Sequence, residues 1–428
     1  MKIHLKLLQQ FESQNVTFMA EDGSWPIVWE RAKGVHVWDT DGRKYLDLTG
    51  AFGVAATGHA NPRVTKAGQE QLATLPHAMG DVHPHPLKGQ LARELSELTV
   101  RRWMRSKLKR IHYRCLPHEM PPPGAKVIFC NSGFEAVEAA LKTAKLATNN
   151  DGIIAFEGAY HGLGYGALAA THRAHFREPF TGQLGRFGHF VPFPETDADL
   201  PALENQIVKL KKKHAIGAIL VEPIQGRAGM RVPPPKFLPL LRKLTDGFRT
   251  LLIYDEIFTG LGRTGKWFAA DHSMAYPDLI CVGKALANGF PLSACVGDRK
   301  IMDHAWPPSE GEAIHTSTFL GNPVGCAMAL AQLRELKEKK LINQVRQRGQ
   351  QLEQLFKKHP VPGARYIGQG LMAGLELHDG GLALAAVKAM LQRGYILLPA
   401  GESGNVISFT PPYTITKKQL ERAVRALQ

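Results

Sequence analysis

The sequence predicts an α/β fold: a large domain with a mostly parallel sheet flanked by helices, and a smaller α+β domain to which both ends of the chain contribute. Two observations lead to this prediction. From about Ala125 to Gly297, short apolar runs alternate with helix-like stretches, which is typical of parallel strands joined by crossover helices. Strand-like pieces also occur near both ends, outside that alternation. The expected boundaries are 1–64 and 316–428 for the small domain and 65–315 for the large domain.

The first elements along the chain are short. Residues 1–14, MKIHLKLLQQFESQ, have the pattern of a short amphipathic helix. Val35–Asp47 predicts two short strands around the turn at Asp41 and Gly42, because an Asp-Gly pair favours tight hairpin turns.

The central region predicts the strands of the large sheet. Its apolar runs are short and uninterrupted, which favours strands buried on both faces of a parallel sheet. These runs are Ala125–Cys130, Gly152–Phe156, Ile216–Val221, Thr250–Asp255 and Asp278–Lys284. Between the first two, Phe134–Ala147 has apolar residues at helical spacing, at positions 137, 140, 141 and 144, which predicts a helix.

The remaining segments precede and follow these predicted strands. Arg101–Gly124 is basic and ends in Pro121–Pro123, which indicates a surface excursion. Gly325–Lys358 reads as one long helix, and strand-like pieces follow at Gly374–Leu377 and Val406–Phe409.

The composition is that of an ordinary globular protein with an excess of positive charge. The 428 residues carry a formal net charge of +15. The densest basic runs, Arg101–Arg110 and Lys209–Lys213, match no nucleic-acid-binding motif, so solvated helix faces are favoured over a nucleic-acid surface. A positive field also favours an anionic cofactor and anionic substrates.

The sequence gives no sign of a membrane, a metal or a disulfide framework. No apolar run reaches the roughly 18–20 residues of a membrane-spanning helix, and the first residues lack the apolar core of a secretory signal. The five cysteines are scattered without a CxxC pair, which favours buried thiols in a reducing compartment. We therefore expect a cytoplasmic protein without a metal site.

Two of the predicted strands end in a charged residue, Asp255 and Lys284. Residues just past the carboxyl ends of parallel strands lie where open α/β sheets bind ligands. A carboxylate that holds a protonated pyridine nitrogen and an amine that forms an imine are the groups that pyridoxal 5′-phosphate (PLP) chemistry requires. Lys284 would have to react as the neutral amine, so its pKa must fall well below about 10.4. The alternatives are an Asp255 paired with a basic residue and a surface-exposed Lys284.

Four further motifs are compatible with ligand binding or with ordinary structure. Asn131–Glu135 starts a predicted helix, where backbone N–H groups bind phosphate but caps are also common. Tyr160 in Gly158–Gly162 could stack on a flat ring or simply pack. Glu222–Gly226 offers a carboxylate and an amide at a strand end. His315–Phe319 offers hydroxyl groups for a phosphate.

Taken together, these motifs resemble the class III aminotransferases, which are PLP enzymes of fold type I. The resemblance extends from about Trp25 to Pro412. The matching motifs, in the family's order and spacing, are NSGFEAVEAALK, AYHG, VEPIQG, IYDEIFTGLGRTGKWFA, PDLICVGKALANGFPLSA and STFLGNP.

The resemblance implies a role for each matching residue. Lys284 would be the Schiff-base lysine and proton carrier, and Asp255 would pair with the pyridine nitrogen. The remaining implied contacts are Gly133 and Phe134 with nearby Ser132 at the phosphate, Tyr160 and Ile257 on the two ring faces, Glu222 and Gln225 towards the ring hydroxyl, and Thr318 at the phosphate of a neighbouring subunit. The family's homodimer with shared active sites is therefore implied, alone or as half of a tetramer.

The resemblance also implies ping-pong transfer of an amino group from an ω-amino acid or amine to a keto acid, pyruvate or 2-oxoglutarate. The alternative on the same scaffold is an aminomutase of the glutamate-1-semialdehyde type or an amino-acid racemase or epimerase. These reactions use the same lysine and aspartate without an external keto acid.

Two positions depart from relatives that use ornithine, acetylornithine or 4-aminobutyrate. Their glutamate after the EPIQG motif is Arg227 here, and their arginine before the Phe/Leu-x-Pro-Pro motif is Ser408. Losing both partners together avoids an unpaired buried charge. We hypothesise that Arg227 now binds a substrate carboxylate; alternatively it points to solvent and the donor lacks a carboxylate there. Phe52, Trp25 and Phe258 are candidates for an apolar pocket wall.

Overall fold

The computed structural model describes residues 1–100, 102–103 and 124–428. Apart from Arg102, Trp103 and Gly124, the predicted excursion Arg101–Gly124 lies outside the described residues, and so does most of the basic run Arg101–Arg110. The second basic run, Lys209–Lys213, ends the helix Leu200–Lys213 and is mainly exposed, as predicted. Among the described helices, none combines the length and apolar character that crossing a membrane requires.

The strands and helices follow the predicted alternation closely. The strands are β1 (Trp29–Lys33), β2 (His36–Asp39), β3 (Lys44–Asp47), β4 (Ala125–Cys130), β5 (Gly152–Phe156), β6 (Gly188–Val191), β7 (Ile216–Val221), β8 (Leu251–Asp255), β9 (Leu279–Val282), β10 (Ser293–Asp298), β11 (Arg365–Gln369), β12 (Met372–Glu376), β13 (Tyr395–Ile396), β14 (Leu398–Ala400) and β15 (Val406–Phe409). The longer helices are Lys2–Phe11, Pro62–Thr74, Pro86–Leu98, Gly133–Thr148, Leu200–Lys213, Phe237–Phe248, Arg299–Ala305, Pro323–Glu338, Leu341–Lys358, Gly380–Gln392 and Lys417–Ala426.

The large sheet is mostly parallel. Within the described ranges it has seven strands in the order β4-β10-β9-β8-β7-β5-β6, and β10 runs antiparallel to both of its neighbours. Successive residues of β8 face opposite sides of the sheet. Leu251 and Ile253 belong to the core beneath the helix Gly133–Thr148, whereas Leu252 and Tyr254 belong to the core on the other side. Both faces of the strand are covered, which explains its uninterrupted apolar sequence.

The two ends of the chain meet in a smaller sheet. β1, β2 and β3 form antiparallel pairs, and β3 then pairs in parallel with β13, with Leu46 opposite Tyr395. β11, β12, β15 and β14 form a further antiparallel sheet. The predicted association of both ends is therefore confirmed, while the boundaries 1–64, 65–315 and 316–428 stay a prediction.

Arg263 connects segments that are distant in sequence. Its guanidinium is fully buried and donates hydrogen bonds to the carbonyl oxygens of Leu371 at 3.0 Å, Pro411 at 2.7 Å and Gly53 at 3.4 Å. The guanidinium carbon also lies 4.6 Å from the ring centroid of Tyr413. One side chain of the central region thus bonds to backbone from both ends of the chain.

The prediction of a single helix over Gly325–Lys358 is wrong. The segment forms two helices, Pro323–Glu338 and Leu341–Lys358, separated at Lys340, whose φ is +51°. Leu336 and Leu341 are both almost fully buried. Because they are five positions apart, an uninterrupted helix would place them on different sides, and the break allows both to face the core.

Candidate active site

Polar side chains converge at the carboxyl edge of the large sheet. Each follows or ends a strand that runs in the same direction: Ser132 after β4, Tyr160 and His161 after β5, Glu222 after β7, Asp255 at the end of β8 and Lys284 after β9. Parallel strands bring their carboxyl ends to one edge, which is where ligands bind in this fold class. The residues predicted from separate motifs therefore lie in one place.

Asp255 is held by a histidine and a backbone amide. Its Oδ2 lies 2.8 Å from Nδ1 of His161, and its Oδ1 accepts a hydrogen bond from the N–H of Ile257 at 3.1 Å. Both side chains are buried. The AYHG motif led to the prediction of Tyr160 as a site residue, but His161 was not predicted. The only signal for His161 in the sequence is its place directly after Tyr160 in that motif.

Lys284 lies close to this pair, at the start of the turn Lys284–Leu286. Its Nζ is 4.6 Å from the ring centroid of Phe258. Burial lowers the pKa of the lysine, and the positive charge of Arg227 acts in the same direction, whereas Asp255 and Glu222 oppose the shift. The site therefore increases the fraction of neutral amine, which is the nucleophilic form.

Glu222 and Gln225 occupy the edge next to Tyr160. The Glu222 carboxylate accepts hydrogen bonds from the N–H groups of Tyr160 at 2.9 Å and Gly226 at 3.1 Å. Burial raises the pKa of Glu222 to about 7, with a contribution from Asp255, while His161 opposes it. Gln225 donates its side-chain amide to the Glu157 carbonyl at 2.8 Å, and its buried Oε1 has no partner among the described residues.

The helix Gly133–Thr148 begins at this edge and offers its first N–H groups, which have no partner within a helix. The Glu135 carboxylate accepts from the N–H groups of Asn131 and Ser132 at 2.6 and 2.9 Å. Ser132 and Glu135 form a capping box at this helix start. A Cβ at Gly133 would lie only 3.0 Å from Cδ1 of Ile257. This tight, donor-rich corner suits an anion such as phosphate.

Arg227 and Ser408 have different surroundings. The Arg227 guanidinium carbon is 4.9 Å from the ring centroid of Tyr160 and 5.4 Å from that of Phe176, and the residue is exposed. Ser408 is buried in β15, and its hydroxyl donates to the Leu398 carbonyl at 2.8 Å. The serine hydroxyl is thus used within the small sheet, whereas the arginine remains beside the ring of Tyr160.

Two residues of the predicted apolar wall share one cavity, and the third, Phe258, packs against Gly53, which follows Phe52. Phe258 lies beside Lys284, but Trp25 and Phe52 line a cavity of about 370 Å³ that also includes Ile396 and Leu398. Phe52 is 62% exposed. Thr318 is exposed in the loop before the helix Pro323–Glu338.

Among the described residues, no cluster of three or more His, Cys, Asp or Glu side chains could hold a metal ion. The described cysteines, Cys130, Cys281, Cys295 and Cys326, are unpaired and buried. The edge of the large sheet combines a buried acid, an amine and a corner of backbone N–H groups, which are the groups that PLP chemistry requires.

A comparison with protein families decides the assignment. Residues 17–428 match the family described as aminotransferase class-III. The chain belongs to this family. Class III aminotransferases use PLP, and the predicted PLP fold type I architecture and the predicted enzyme class, a PLP-dependent class III transaminase, are both confirmed.

Solved structures resemble this aminotransferase over nearly its whole length. An ornithine aminotransferase from Toxoplasma gondii ME49 has 27% sequence identity and a TM-score of 0.82, with 100% of this chain and 93% of that chain covered. A second structure of the ornithine aminotransferase from Toxoplasma gondii is described as having partial occupancy of PLP at its active site.

Two further structures share the fold at lower identity. An (S)-enantioselective omega-transaminase from Thermomicrobium roseum has 24% identity and a TM-score of 0.86, covering 100% of this chain and 97% of that chain. A transaminase from the marine bacterium Virgibacillus has 21% identity and a TM-score of 0.86, covering 99% of this chain and 96% of that chain.

Proposed function

We propose that this PLP-dependent aminotransferase transfers an amino group from an ω-amino acid or amine to a keto acid, at the pocket formed by Lys284 and Asp255. The observation that carries the proposal is the position of Lys284: its amine has a lowered pKa and lies at the same strand edge as a buried aspartate. An amine exchanged between a donor and an acceptor requires a nucleophilic lysine and a counter-charge for the cofactor ring.

Asp255 and Lys284 would divide the chemistry between them. When bound, PLP supplies an aldehyde for amine exchange and a ring that withdraws electrons. Asp255, oriented by His161, would keep the pyridine nitrogen protonated, because a nearby carboxylate favours the charged form. Lys284 would hold the cofactor covalently and move the proton from the donor carbon.

The other residues would position the cofactor. The N–H groups of Gly133 and Phe134 and the hydroxyl of Ser132 would bind the phosphate. Tyr160 and Ile257 would cover the two ring faces, and Glu222 and Gln225 would lie near the ring hydroxyl. The buried Oε1 of Gln225, which has no partner among the described residues, supports this assignment, since buried polar atoms are normally hydrogen-bonded.

The substrate assignment depends on Arg227. We propose that its guanidinium binds the carboxylate of the keto-acid acceptor, because a planar guanidinium suits bidentate carboxylate binding. Its exposure next to Tyr160 supports this role. Trp25, Phe52 and Phe258 would provide apolar contacts to an amine donor, while Ser408 would leave room where relatives have an arginine.

One set of assays tests the proposal. Purified holoenzyme is assayed with a panel of amine donors and with pyruvate or 2-oxoglutarate as acceptor, beside the Lys284→Ala, Lys300→Ala and Arg227→Ala variants. We expect Lys284→Ala to lose the visible absorbance of covalently bound PLP and at least about a thousandfold in kcat, while Lys300→Ala, which alters an exposed lysine, behaves like the wild type.

In the same assays, Arg227→Ala should raise the acceptor KM by about tenfold. An unchanged KM would reject carboxylate binding by Arg227 and favour a solvent-facing side chain. Turnover of the donor without any acceptor would contradict transamination and indicate an isomerase.

We also propose that the enzyme is a homodimer, alone or within a tetramer, with Thr318 reaching the phosphate site of the partner subunit. The exposure of Thr318 and of Phe319, which is 57% exposed, supports an uncovered face in the single chain. Light scattering of the holoenzyme tests the assembly, and a monomer would reject it. A cytoplasmic location stays part of the proposal, supported by the unpaired described cysteines.

A further inference from the structure

Arg173 and Arg227 share an aromatic neighbour. The guanidinium carbons of both residues lie 5.4 Å from the ring centroid of Phe176. The ring of Phe176 in turn meets the ring of Tyr160 edge-on, with the centroids 5.5 Å apart. Two arginines are therefore placed around one aromatic side chain beside the active site.

The two arginines differ in the aromatic rings that they contact. Arg227 contacts both Tyr160 and Phe176 and lies close enough to Lys284 to lower the pKa of its amine. Arg173 contacts Phe176. Arg227 is therefore the arginine that lies beside Tyr160, and Arg173 is linked to it through the ring of Phe176.

The segment that carries Arg173 is fixed to the site. The N–H of His172 donates to the Ala159 carbonyl at 2.9 Å, directly before Tyr160, and the N–H of Phe176 donates to the Arg173 carbonyl at 3.1 Å. His172 also lies 3.5 Å from the Glu402 carboxylate. These contacts anchor the backbone around Arg173 to the segment that leads into Tyr160.

Neither guanidinium has a carboxylate partner among the described residues. Arg173 donates to the backbone carbonyl of Glu402 at 3.4 Å, while the Glu402 carboxylate faces His172. Two cations near one ring repel each other, and this repulsion is relieved when anionic groups bind between or beside them.

We propose that Arg173 determines acceptor specificity by binding the distal carboxylate of a 2-oxo dicarboxylic acid, while Arg227 binds the carboxylate next to the keto group. This inference rests on the proposed function, in particular on the role of Arg227. A monocarboxylic acceptor such as pyruvate has no group for Arg173. The enzyme should therefore prefer 2-oxoglutarate to pyruvate, and the preference should depend on Arg173.

The test compares Arg173→Gln with Arg186→Gln, which alters an exposed arginine of the same region. Both holoenzymes are assayed with one donor and either acceptor. We expect Arg173→Gln to lower kcat/KM for 2-oxoglutarate about tenfold or more, since a hydrogen bond to a charged group has about that effect, and to change kcat/KM for pyruvate less than about threefold. Arg186→Gln should match the wild type, and Arg173→Lys should recover part of the loss.

Inhibitor binding gives a readout that does not depend on turnover. The dissociation constants of glutarate and butyrate are measured for each holoenzyme by calorimetry. Glutarate should bind Arg173→Gln about tenfold more weakly than the wild type, and butyrate should bind both alike. Equal effects on both acceptors, or on both inhibitors, would overturn the role of Arg173. A wild-type enzyme that transaminates neither acceptor would instead reject the proposed function.

Discussion

At the scale of single residues, the type of side chain that pairs with Asp255 affects the net charge of the pair. Its carboxylate is held by the imidazole of His161 at 2.8 Å rather than by a guanidinium. Arginine is always charged and would cancel the negative charge of the aspartate, whereas a neutral imidazole orients a carboxylate through one N–H. A histidine partner is therefore compatible with the proposed pairing of Asp255 with a cation of the cofactor.

The variant Asp255→Asn should separate charge from shape. The amide keeps the size of the side chain but cannot favour a protonated ring nitrogen, so we expect kcat to fall on the order of a hundredfold. Single-turnover kinetics with the amine donor measure this effect. Asp303→Asn, at an exposed aspartate of the helix Arg299–Ala305, is the control. A kcat close to that of the wild type would show that the charge of Asp255 is not needed.

Residue types and strand ends were sufficient to predict the positions of Asp255 and Lys284. His161 was not predictable in the same way, because its contact with Asp255 depends on the order in which β5, β7 and β8 lie in the sheet. Strand order is a property of tertiary packing. The placement of Arg227 over Tyr160 and Phe176 depends on loop geometry for the same reason.

At the scale of elements, His272 joins a short helix to the end of β11. Its ring lies between Oγ1 of Thr264 and the side-chain amide of Gln369, at 3.0 Å from each. The amide donates to Nδ1, so the imidazole is neutral and its Nε2 donates to Thr264. Burial is the largest cause that lowers the pKa of His272 to about 4, and Lys266 acts in the same direction.

This contact predicts a pH dependence of stability. The folded pKa of about 4 is below the usual value of His272, 6.5, so the unfolded chain binds more protons between these values. The stabilising contribution is complete above pH 6.5 and is lost as the pH falls towards 4. In urea unfolding, His272→Gln should therefore flatten the decline in unfolding free energy over this range. His304→Gln, at an exposed histidine, should not, and identical profiles for both variants would contradict the prediction.

The strands that were predicted in the central region have nearly the expected ends, because apolar runs buried on both faces have clear ends. β6 and β10 of the same sheet were not predicted. Gly152–Phe156 and Ile216–Val221 match β5 and β7. The division between Pro323–Glu338 and Leu341–Lys358 was not predicted. Both parts have helical periodicity, and no glycine or proline marks the break between them. The chain changes direction there so that Leu341 is buried in the core.

At the scale of the whole molecule, Arg263 is the side chain that connects the most distant segments described above. Replacing it by methionine would leave the buried carbonyl oxygens of Leu371 and Pro411 without their donor. We expect Arg263→Met to lower the free energy of unfolding by roughly 3 kcal/mol. Arg346→Met, at an exposed position, should change it by less than about 0.5 kcal/mol. Urea denaturation measures both, and similar values for the two variants would show that Arg263 is not a structural link.

The sequence indicated that both ends contribute to one small domain, but not how they meet. Composition and periodicity give no partner for a strand as short as Tyr395–Ile396, because two residues carry almost no pattern. It follows the helix Gly380–Gln392 and pairs in parallel with β3. Pairing across almost the full chain length depends on tertiary packing that no local signal contains.

This pairing has a consequence for synthesis on the ribosome. β3 leaves the exit tunnel long before Tyr395, its neighbour in the finished sheet, is added to the chain. At about 5–20 residues per second, the nascent chain waits on the order of half a minute with this strand edge unpaired. Exposed strand edges pair readily with other strands, so we expect this edge of β3 to need protection, for example by chaperones, until β13 is made.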